Sequence, residues 1–550
     1  MPGRSEVDTG AVNRTGRDGA GADLPIGLIA ALAGASALAV LIANLGGIAV
    51  GDDGVGYTAI ADSLLAGGGL RYFLEDPLTV WPPLWPALMA LLSLVTPLDP
   101  TGAAVVLNAA VSAGAVVVAW RALRRFVPDE RLVLLGTVVV ALGSSTIGFG
   151  HLLMTDLAFA VVVIAWILAL ANQWEAPSPG RWRWLAAAVG LVWLGFSLRY
   201  VGVVLIPTGA LWLLIDRRRR WGLRLGSAAV FAAGAATLPA LWVLRNLAAD
   251  GTALGPRYAS ARGPVQNAAD IVATLGRFLL PGVANGRERV WAAVAVVVLL
   301  AAAAVTWRVL GATADERGCS RRDLYLSTAA APFGLLVLTP VLYLIYLLYI
   351  RSTTALNQLD LRLLEPAYLP LVVGALGVAA RSRRIPPVGA SIWWRTSRAA
   401  AHVWAVANVV AGLVAVVLFA NGDPYFEGNY SSEGFDRVRA AAVLDTLPAG
   451  CSGPEHVSSN LPNALYPELE ANWSPRRTGL ESDEPVDDLD VLVESLGNGD
   501  VHCLVWVDTA PRYGHLWTRE QLDERVDLVE LGAEGSVTVY AVELPDGGRS

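Results

Sequence analysis

The sequence predicts an α-helical membrane protein that crosses the bilayer many times and ends in a small α/β domain. Of its 550 residues, 54% are hydrophobic, and the mean hydropathy is +0.50. Apolar runs close to the length that spans a bilayer recur as far as residue 421. Beyond that residue, acidic side chains outnumber arginines about three to one, as expected of a solvated domain.

Composition divides the chain into three parts. Residues 1–23 are polar and rich in glycine, and we expect them to be disordered on the cytoplasmic side. We expect residues 24–421 to form the membrane domain and residues 422–550 to form a soluble extracytoplasmic domain. Strands are predicted here at 456–459, 501–507 and 537–542, and helices at 432–446 and 521–526. This alternation of helix and strand predicts a small α/β fold.

The lengths of the apolar runs and the positions of the arginines predict about eleven membrane helices. The spans are expected near 24–50, 101–121, 132–149, 157–174, 184–198, 200–216, 225–245, 290–307, 325–349, 363–380 and 400–420. Five arginine-rich clusters lie between the apolar runs, at 121–131, 181–183, 217–224, 308–322 and 381–398. All five face the cytoplasm only if the short run 84–95 does not cross the membrane. The N-terminus is then cytoplasmic, the C-terminus is external, and we expect the protein in the cytoplasmic membrane.

The external loop at 51–100 carries the most informative residues. Asp52 and Asp53 stand where the first apolar run ends. A charged carboxylate at the edge of a membrane helix costs free energy unless it is solvated, paired with a cation or part of a functional site. Tyr57 begins a pattern typical of a short helix on the membrane surface. The glycines at 67–69 end this helix, and a rigid Trp–Pro–Pro turn follows at 81–83.

Further polar groups are predicted at the external ends of the helices. They are Asp52, Asp53, His151, Asp156, Arg199, Arg245, Asn246, Arg257, Tyr258, Arg262, Arg351, Asp360 and Arg362. The arginines favour an anionic ligand, and guanidinium groups match the geometry of phosphate. A sugar donor linked to a lipid phosphate suits this arrangement. Because an alcohol is a poor nucleophile, the acceptor needs a general base, and Asp53 is placed for that task.

Short motifs in the same order resemble the GT-C superfamily of membrane glycosyltransferases. The closest resemblance is to the branch of the protein O-mannosyltransferases and the lipid A aminoarabinose transferase. The first loop shares an aspartate, Asp53, four residues before Tyr57, then a surface helix, a glycine turn and a proline segment. The other motifs are HLLMTD at 151–156, Arg199 with Tyr200, WVLRNLAADG at 242–251 and LDLRLLEPAYLP at 359–370.

The resemblance implies an inverting glycosyltransferase that moves a sugar from a polyprenyl-phosphate donor to an envelope glycan, lipid or protein. It implies that Asp53 is the base and that Asp156 supports the geometry of the site. Arg199 and Arg362 would hold the donor phosphate. Further candidates for phosphate binding are Arg257 and Arg262, and candidates for substrate binding are Asp52, Tyr57, His151 and Tyr200.

Two residues of the first loop depart from the pattern of these enzymes. Trp81 stands where the aminoarabinose transferase has a basic residue, and Gly54 replaces a second acid. No cofactor is certain, although Asp52 and Asp53 could hold a divalent metal. Cys451 and Cys503 both lie in the predicted external domain and could form a disulfide. Nothing in the sequence points to nucleic acid.

Other interpretations stay open. A polytopic transporter or lipid flippase predicts acids or broken helices near mid-membrane and an internal repeat, and the sequence shows neither. A non-catalytic relative could bind glycan through its C-terminal part. Individual residues also have plain structural explanations: His151 as a turn residue, Asp156 as a helix cap and Tyr57 as an interfacial anchor.

Overall fold

A computed structural model describes residues 25–545, except 74–76, 280–289, 299, 302, 305–306, 308–330, 358, 382–386, 423–428, 452, 481 and 511–512. Long apolar helices are followed by a five-stranded sheet, which confirms the predicted class, a polytopic helical protein with a small α/β domain. The segment 1–23, which we expect to be disordered, lies outside the described residues.

The described helices before residue 421 are numbered here in chain order. They are α1 Ile26–Ala43, α2 Asp52–Leu65, α3 Leu84–Val95, α4 Pro100–Phe126, α5 Glu130–Leu142, α6 Ser144–His151, α7 Asp156–Glu175, α8 Ser178–Leu198, α9 Leu205–Ile215, α10 Trp221–Asp250, α11 Pro264–Leu279, α12 Leu335–Thr353, α13 Leu361–Arg381 and α14 Pro387–Ala420. Short 3₁₀ turns precede α9 at 200–204 and α12 at 332–334.

Eight spans within the described residues are long and apolar enough to cross a membrane. They are α1, α4, α5 with α6, α7, α10, α12 with its 3₁₀ turn, α13 and the last part of α14. Three predicted spans are not among them. The span at 184–198 belongs to α8, whose first turns carry Arg181 and Arg183, and the span at 200–216 is short. The span at 290–307 lies partly outside the described residues and is helical at 290–298.

Helices α2 and α3 belong to the first loop and are too short to cross a bilayer. They contain 14 and 12 residues, and at about 1.5 Å per residue neither approaches the roughly 30 Å of the hydrocarbon core. Asp52 and Asp53 lie in the first turn of α2, where the helix dipole favours negative charge. After α2 the chain turns at Gly67, whose φ of 81° glycine adopts without strain.

A backbone contact places the start of α2 beside the start of α7. The amide of Ala49 donates to the carbonyl of His151 at 2.8 Å, and the amide of Leu153 donates to the carbonyl of Ala49 at 2.9 Å. The side chain of Asn108 also donates to the carbonyl of Leu152 at 3.0 Å. These bonds bring the residues after α1 and the residues before α7 to the same end of the helices.

The C-terminal sheet has the strand order β2-β1-β3-β5-β4. The strands are β1 Val457–Ser459, β2 Asn472–Trp473, β3 His502–Val507, β4 Asp527–Glu534 and β5 Val537–Glu543. Strands β1, β2 and β3 are parallel, so their carboxyl ends meet at one edge, and β5 is antiparallel to β3 and β4. Helices α15 Glu433–Arg439, α16 Asp488–Gly497 and α17 Arg519–Asp523 accompany the sheet. A disulfide joins Cys451, before β1, to Cys503 on β3.

Acidic pH should destabilise this sheet through His502. Its Nε2 lies 3.0 Å from the hydroxyl of Ser458, and burial, helped by the nearby His456, lowers the pKa of His502 from 6.5 to about 4. Between these values the unfolded chain binds a proton that the folded sheet does not, so stability falls as pH falls through this window. We expect the protection factors of β3 and β5 in hydrogen exchange to be lower at pH 5 than at pH 7.5. Equal protection factors would contradict this, and His502→Gln should reduce the pH dependence.

Candidate functional site

Asp53 is held by residues from two distant parts of the chain. Its Oδ1 accepts a hydrogen bond from the indole Nε1 of Trp81 at 3.0 Å. Its Oδ2 lies 3.8 Å from Nη1 of Arg362, and the Asp53 side chain is 32% exposed. The carboxylate therefore has a fixed direction and can still be reached from outside the protein.

The sequence predicts Trp81 in a rigid turn and shows it as a departure from the family pattern, but it does not predict the bond from Trp81 to Asp53. The indole lies across α2 at Gly56, where an added Cβ would be 2.8 Å from the ring. The Tyr200 hydroxyl donates to the carbonyls of Thr79 at 2.8 Å and of Trp81 at 3.1 Å. Gly56, one turn after Asp53, is the sequence feature that is consistent with this contact, because a residue without a side chain leaves room for the Trp81 ring on α2.

Gly54, the second departure, lies against the segment before α7. A Cβ at Gly54 would be 3.1 Å from a methyl group of Val50 and 3.2 Å from the carbonyl oxygen of Leu153. Both distances are tighter than ordinary contacts. A second acid at this position would therefore have to push apart the backbone contact that positions α2.

Asp156 and Arg199 form a buried ion pair beside Asp53. The Asp156 side chain is 1% exposed and its Oδ1 pairs with Nη1 of Arg199, which is 19% exposed. Asp156 begins α7 and Arg199 directly follows α8, so the pair joins the ends of two helices. Burial, and then the charge of Asp53, raises the pKa of Tyr57 far above its ordinary value, so Tyr57 is a neutral phenol.

Arg362 lies between two carboxylates. Its Nε is 2.9 Å from Oδ2 of Asp360, while its Nη1 faces Asp53. Asp360 also accepts the amide of Leu363 at 3.2 Å and so caps the start of α13. Asp53, Asp156 and Asp360 contribute three negative charges and Arg199 and Arg362 two positive charges, a formal sum of −1.

Arg257 is exposed and lies near Tyr200 and Tyr346. Its Nη2 donates to the carbonyl of Leu254 at 2.6 Å. Arg262, the other candidate in the same loop, is paired with Asp270 at 2.7 Å. Of the two, Arg257 is therefore the one whose contacts with the described residues leave its charge unbalanced by a carboxylate.

His151 contacts residues at the ends of α1 and α14. It is 3% exposed, and its Nδ1 is 3.2 Å from Oδ1 of Asn44. Its ring stacks on Phe419, with centroids 4.2 Å apart and planes at 8°. These contacts pack His151, the last residue of α6, between α1 and α14, and its role in substrate binding stays a prediction.

Asp52 faces the C-terminal domain. Its Oδ1 accepts bonds from the hydroxyl of Tyr430 and from Nδ2 of Asn463, both at 2.7 Å. Neighbouring residues of a helix point about 100° apart, so Asp52 and Asp53 take different partners. Within the described part of the chain, no group of three or more His, Cys, Asp or Glu side chains is arranged to hold a metal ion.

The C-terminal domain packs directly on the first loop. Tyr466 donates to Asp62 of α2 at 2.7 Å and stacks on Phe73, with ring centroids 5.2 Å apart. The Tyr72 hydroxyl donates to Oδ1 of Asn463 at 3.3 Å. In the next loop, Arg476 donates to the hydroxyl of Tyr258 at 3.2 Å. The C-terminal domain thus contacts two of the loops that carry candidate site residues.

The chain is similar to known proteins in its fold, whereas its sequence matches no family model. No protein-family model and no curated protein matches the sequence. The structure is similar to ArnT from Cupriavidus metallidurans in the apo state, with a TM-score of 0.55, 14% identity and coverage of 94% of this chain and 97% of ArnT. For ArnT bound to undecaprenyl phosphate the TM-score is 0.56 at 14% identity, covering 94% and 98%. AglB from Archaeoglobus fulgidus matches with a TM-score of 0.48 and 12% identity, covering 86% and 69%.

The chain has the fold of the GT-C membrane glycosyltransferases, as its short motifs predict. The match to ArnT extends over nearly the whole of both chains.

Proposed function

We propose that this protein is an inverting glycosyltransferase. It moves a sugar from a polyprenyl-phosphate carrier to a hydroxyl of a cell-envelope acceptor on the external face of the cytoplasmic membrane. The observation that carries this proposal is the partly exposed Asp53 carboxylate, fixed by Trp81 and next to Arg362, in a GT-C fold. One of the similar structures, that of ArnT bound to undecaprenyl phosphate, supports a carrier of this kind.

In the proposed reaction the acceptor hydroxyl approaches Asp53. The carboxylate takes the hydroxyl proton while the oxygen attacks the anomeric carbon of the donor. The bond between that carbon and the phosphate oxygen breaks, and its electron pair leaves with the polyprenyl phosphate. Attack opposite the leaving group inverts the anomeric centre. Among the described residues, Arg362 is the cation nearest to the base, 3.8 Å from Asp53, and it stabilises the departing phosphate.

The charge balance assigns different tasks to the arginines. Arg199 is largely neutralised by Asp156, so its main task is to hold α7 and α8 together near the site. Arg362 already faces two carboxylates. A phosphate therefore needs further positive charge, and we assign Arg257 to supply it. A divalent cation brought with the donor is the other way to balance the charge, and activity after chelation with EDTA distinguishes the two.

The proposed function can be tested with purified full-length protein in nanodiscs. The substrates are radiolabelled polyprenyl phosphates carrying mannose, arabinose or glucose, with a crude envelope fraction as acceptor. We expect label to move from at least one donor to the acceptor fraction, with release of polyprenyl phosphate and an inverted anomeric configuration by NMR. Absence of transfer from every donor, or retention of configuration, would overturn the proposal.

The second candidate, a transporter or flippase, is favoured by one observation. Glu365 is 4% exposed on α13, where its Oε2 accepts a hydrogen bond from Ser145 at 2.7 Å. Buried acids within membrane helices often mark transport pathways. A flippase would carry the labelled lipid across a proteoliposome membrane without breaking its bond to phosphate. That result, without transfer, would favour this candidate.

Replacing Trp81 by phenylalanine should lower the rate of transfer about ten- to hundredfold. Phenylalanine keeps a ring over Gly56 but cannot donate to Asp53. A hydrogen bond to a charged group contributes about 1.5–3 kcal/mol, and a tenfold change in rate corresponds to about 1.4 kcal/mol. The measurement is kcat/KM for the labelled donor.

Trp85→Phe is the matched control for this substitution. Trp85 lies in the same loop, is 2% exposed, and its indole nitrogen has no hydrogen-bond partner among the described residues. Its replacement changes packing without removing a donor from Asp53. Equal losses in the two variants would mean that the bond from Trp81 has no special importance for transfer.

A further inference from the structure

Three rings of the C-terminal domain cluster near the carboxyl edge of the parallel strands. Trp473 ends β2, and Tyr513 and His515 lie in the segment after β3. The ring centroids are 5.7 Å apart for Trp473 and Tyr513, 5.6 Å for Tyr513 and His515, and 6.2 Å for Trp473 and His515. All three residues are partly exposed. These three residues are called the aromatic cluster below.

Tyr513 of the aromatic cluster lies near the partner of the residue beside Asp53. The Tyr430 hydroxyl donates to Asp52 at 2.7 Å, and Tyr513 packs against the buried apolar cluster that contains Tyr430. The row Asp52, Tyr430, Tyr513 therefore leads from the start of α2 to Trp473. An acceptor with one hydroxyl at Asp53 could extend along this row as far as the aromatic cluster.

The chemistry of the aromatic cluster suits a sugar ring. A pyranose or furanose ring has an apolar C–H face and a rim of hydroxyls. Partly exposed aromatic rings offer an apolar face, while a phenol, an indole N–H and an imidazole at their rims offer hydrogen bonds. Ligand sites combine apolar and aromatic walls with a few polar groups in this way.

A peptide fits this edge of the sheet less well. Extended peptides commonly bind by adding a strand to an exposed sheet edge. The edge strand beside the aromatic cluster is β2, which has two residues and pairs with β1 only through Ser458 and Ser459. It presents too short a row of backbone groups to hold a peptide by main-chain bonds.

We propose that the aromatic cluster binds a sugar ring of the acceptor, which is therefore a saccharide of at least two rings. This inference rests on the proposed glycosyltransferase function, because it uses Asp53 to define where the reacting hydroxyl lies. It selects the glycan among the glycan, lipid and protein acceptors. It also gives the C-terminal domain the task of holding the acceptor while the membrane helices hold the donor.

The test measures binding without turnover. Full-length protein in nanodiscs is titrated with linear hexose and pentose oligosaccharides of one to six rings. We expect the affinity to rise with length beyond one ring for at least one series. Trp473→Ala should weaken binding by about tenfold or more, and Trp473→Phe should restore most of it.

Two further variants control for the loss of an exposed indole elsewhere and for misfolding of Trp473→Ala. Trp182→Ala removes an indole that is 56% exposed at the start of α8, and its binding should equal that of the unmodified protein. His515→Ala removes one ring of the aromatic cluster and should weaken binding even if Trp473→Ala fails to fold. Unchanged binding in folded Trp473→Ala, or no binding of any oligosaccharide, would overturn the inference. So would a preference for peptides over saccharides.

Asp53→Asn distinguishes a failure of this inference about acceptor binding from a failure of the proposed catalysis. Oligosaccharide binding by this variant should still rise with length and still depend on Trp473, because Asp53 does not belong to the aromatic cluster. Transfer activity in Asp53→Asn would reject the proposed chemistry and leave the binding result standing. Transfer to a protein or lipid with no saccharide binding would reject the aromatic cluster as an acceptor site and leave the transferase standing.

Discussion

Asp53→Asn will strongly lower the rate of sugar transfer and leave the protein folded in the membrane. The amide has nearly the shape of the carboxylate, and its oxygen can still accept the hydrogen bond from Trp81. It cannot take a proton from the acceptor hydroxyl. General-base catalysis typically contributes about a hundredfold to ten-thousandfold, so we expect kcat to fall by that factor.

Asp62→Asn is the matched control for this variant. Asp62 lies on the same helix, and its Oδ2 accepts a hydrogen bond from Tyr466 at 2.7 Å, which an amide oxygen can also accept. Loss of charge on α2 by itself should therefore cost little activity. Donor binding, measured with a non-transferable analogue, should not be weakened in either variant. Full turnover in Asp53→Asn would remove Asp53 as the base.

Removing one partner of the buried pair between Asp156 and Arg199 should strongly destabilise the membrane domain. Arg199→Met leaves the Asp156 carboxylate, 1% exposed, without its cation. An uncompensated buried charge costs about 3–5 kcal/mol, so we expect a large drop in the thermal unfolding temperature in detergent. Asp156→Asn should also destabilise, because it leaves the Arg199 guanidinium without its partner.

The double variant distinguishes pairing from other effects. If the two charges stabilise each other, Asp156→Asn combined with Arg199→Met should lose clearly less stability than the sum of the two single variants. The pair of Arg525 and Asp490, at 2.9 Å and 52% and 72% exposed, serves as the comparison. Its removal should change stability by about 0–1 kcal/mol. Additive losses at Asp156 and Arg199 would contradict the prediction.

Local features determined the fold class and much of the helix arrangement. The length of an apolar run decides whether it can cross a bilayer, and this is a property of consecutive residues. Eight predicted spans therefore coincide with membrane-length helices, and the short run 84–95 is the 12-residue helix α3. The strands predicted around 456–459, 501–507 and 537–542 correspond to β1, β3 and β5. β2 was missed because it has two residues, and β4 because it carries acids and is mostly exposed.

The partners of the candidate site residues were decided by tertiary packing. The sequence placed Asp52 and Asp53 together, but the helix turns them toward different partners: Asn463 and Tyr430 for the first, Trp81 and Arg362 for the second. The sequence by itself determined that this chain is a membrane protein with acids and arginines at its helix ends. Which of them meet depends on side-chain direction and on contacts between residues hundreds of positions apart, and only the packed helices and the C-terminal domain set these.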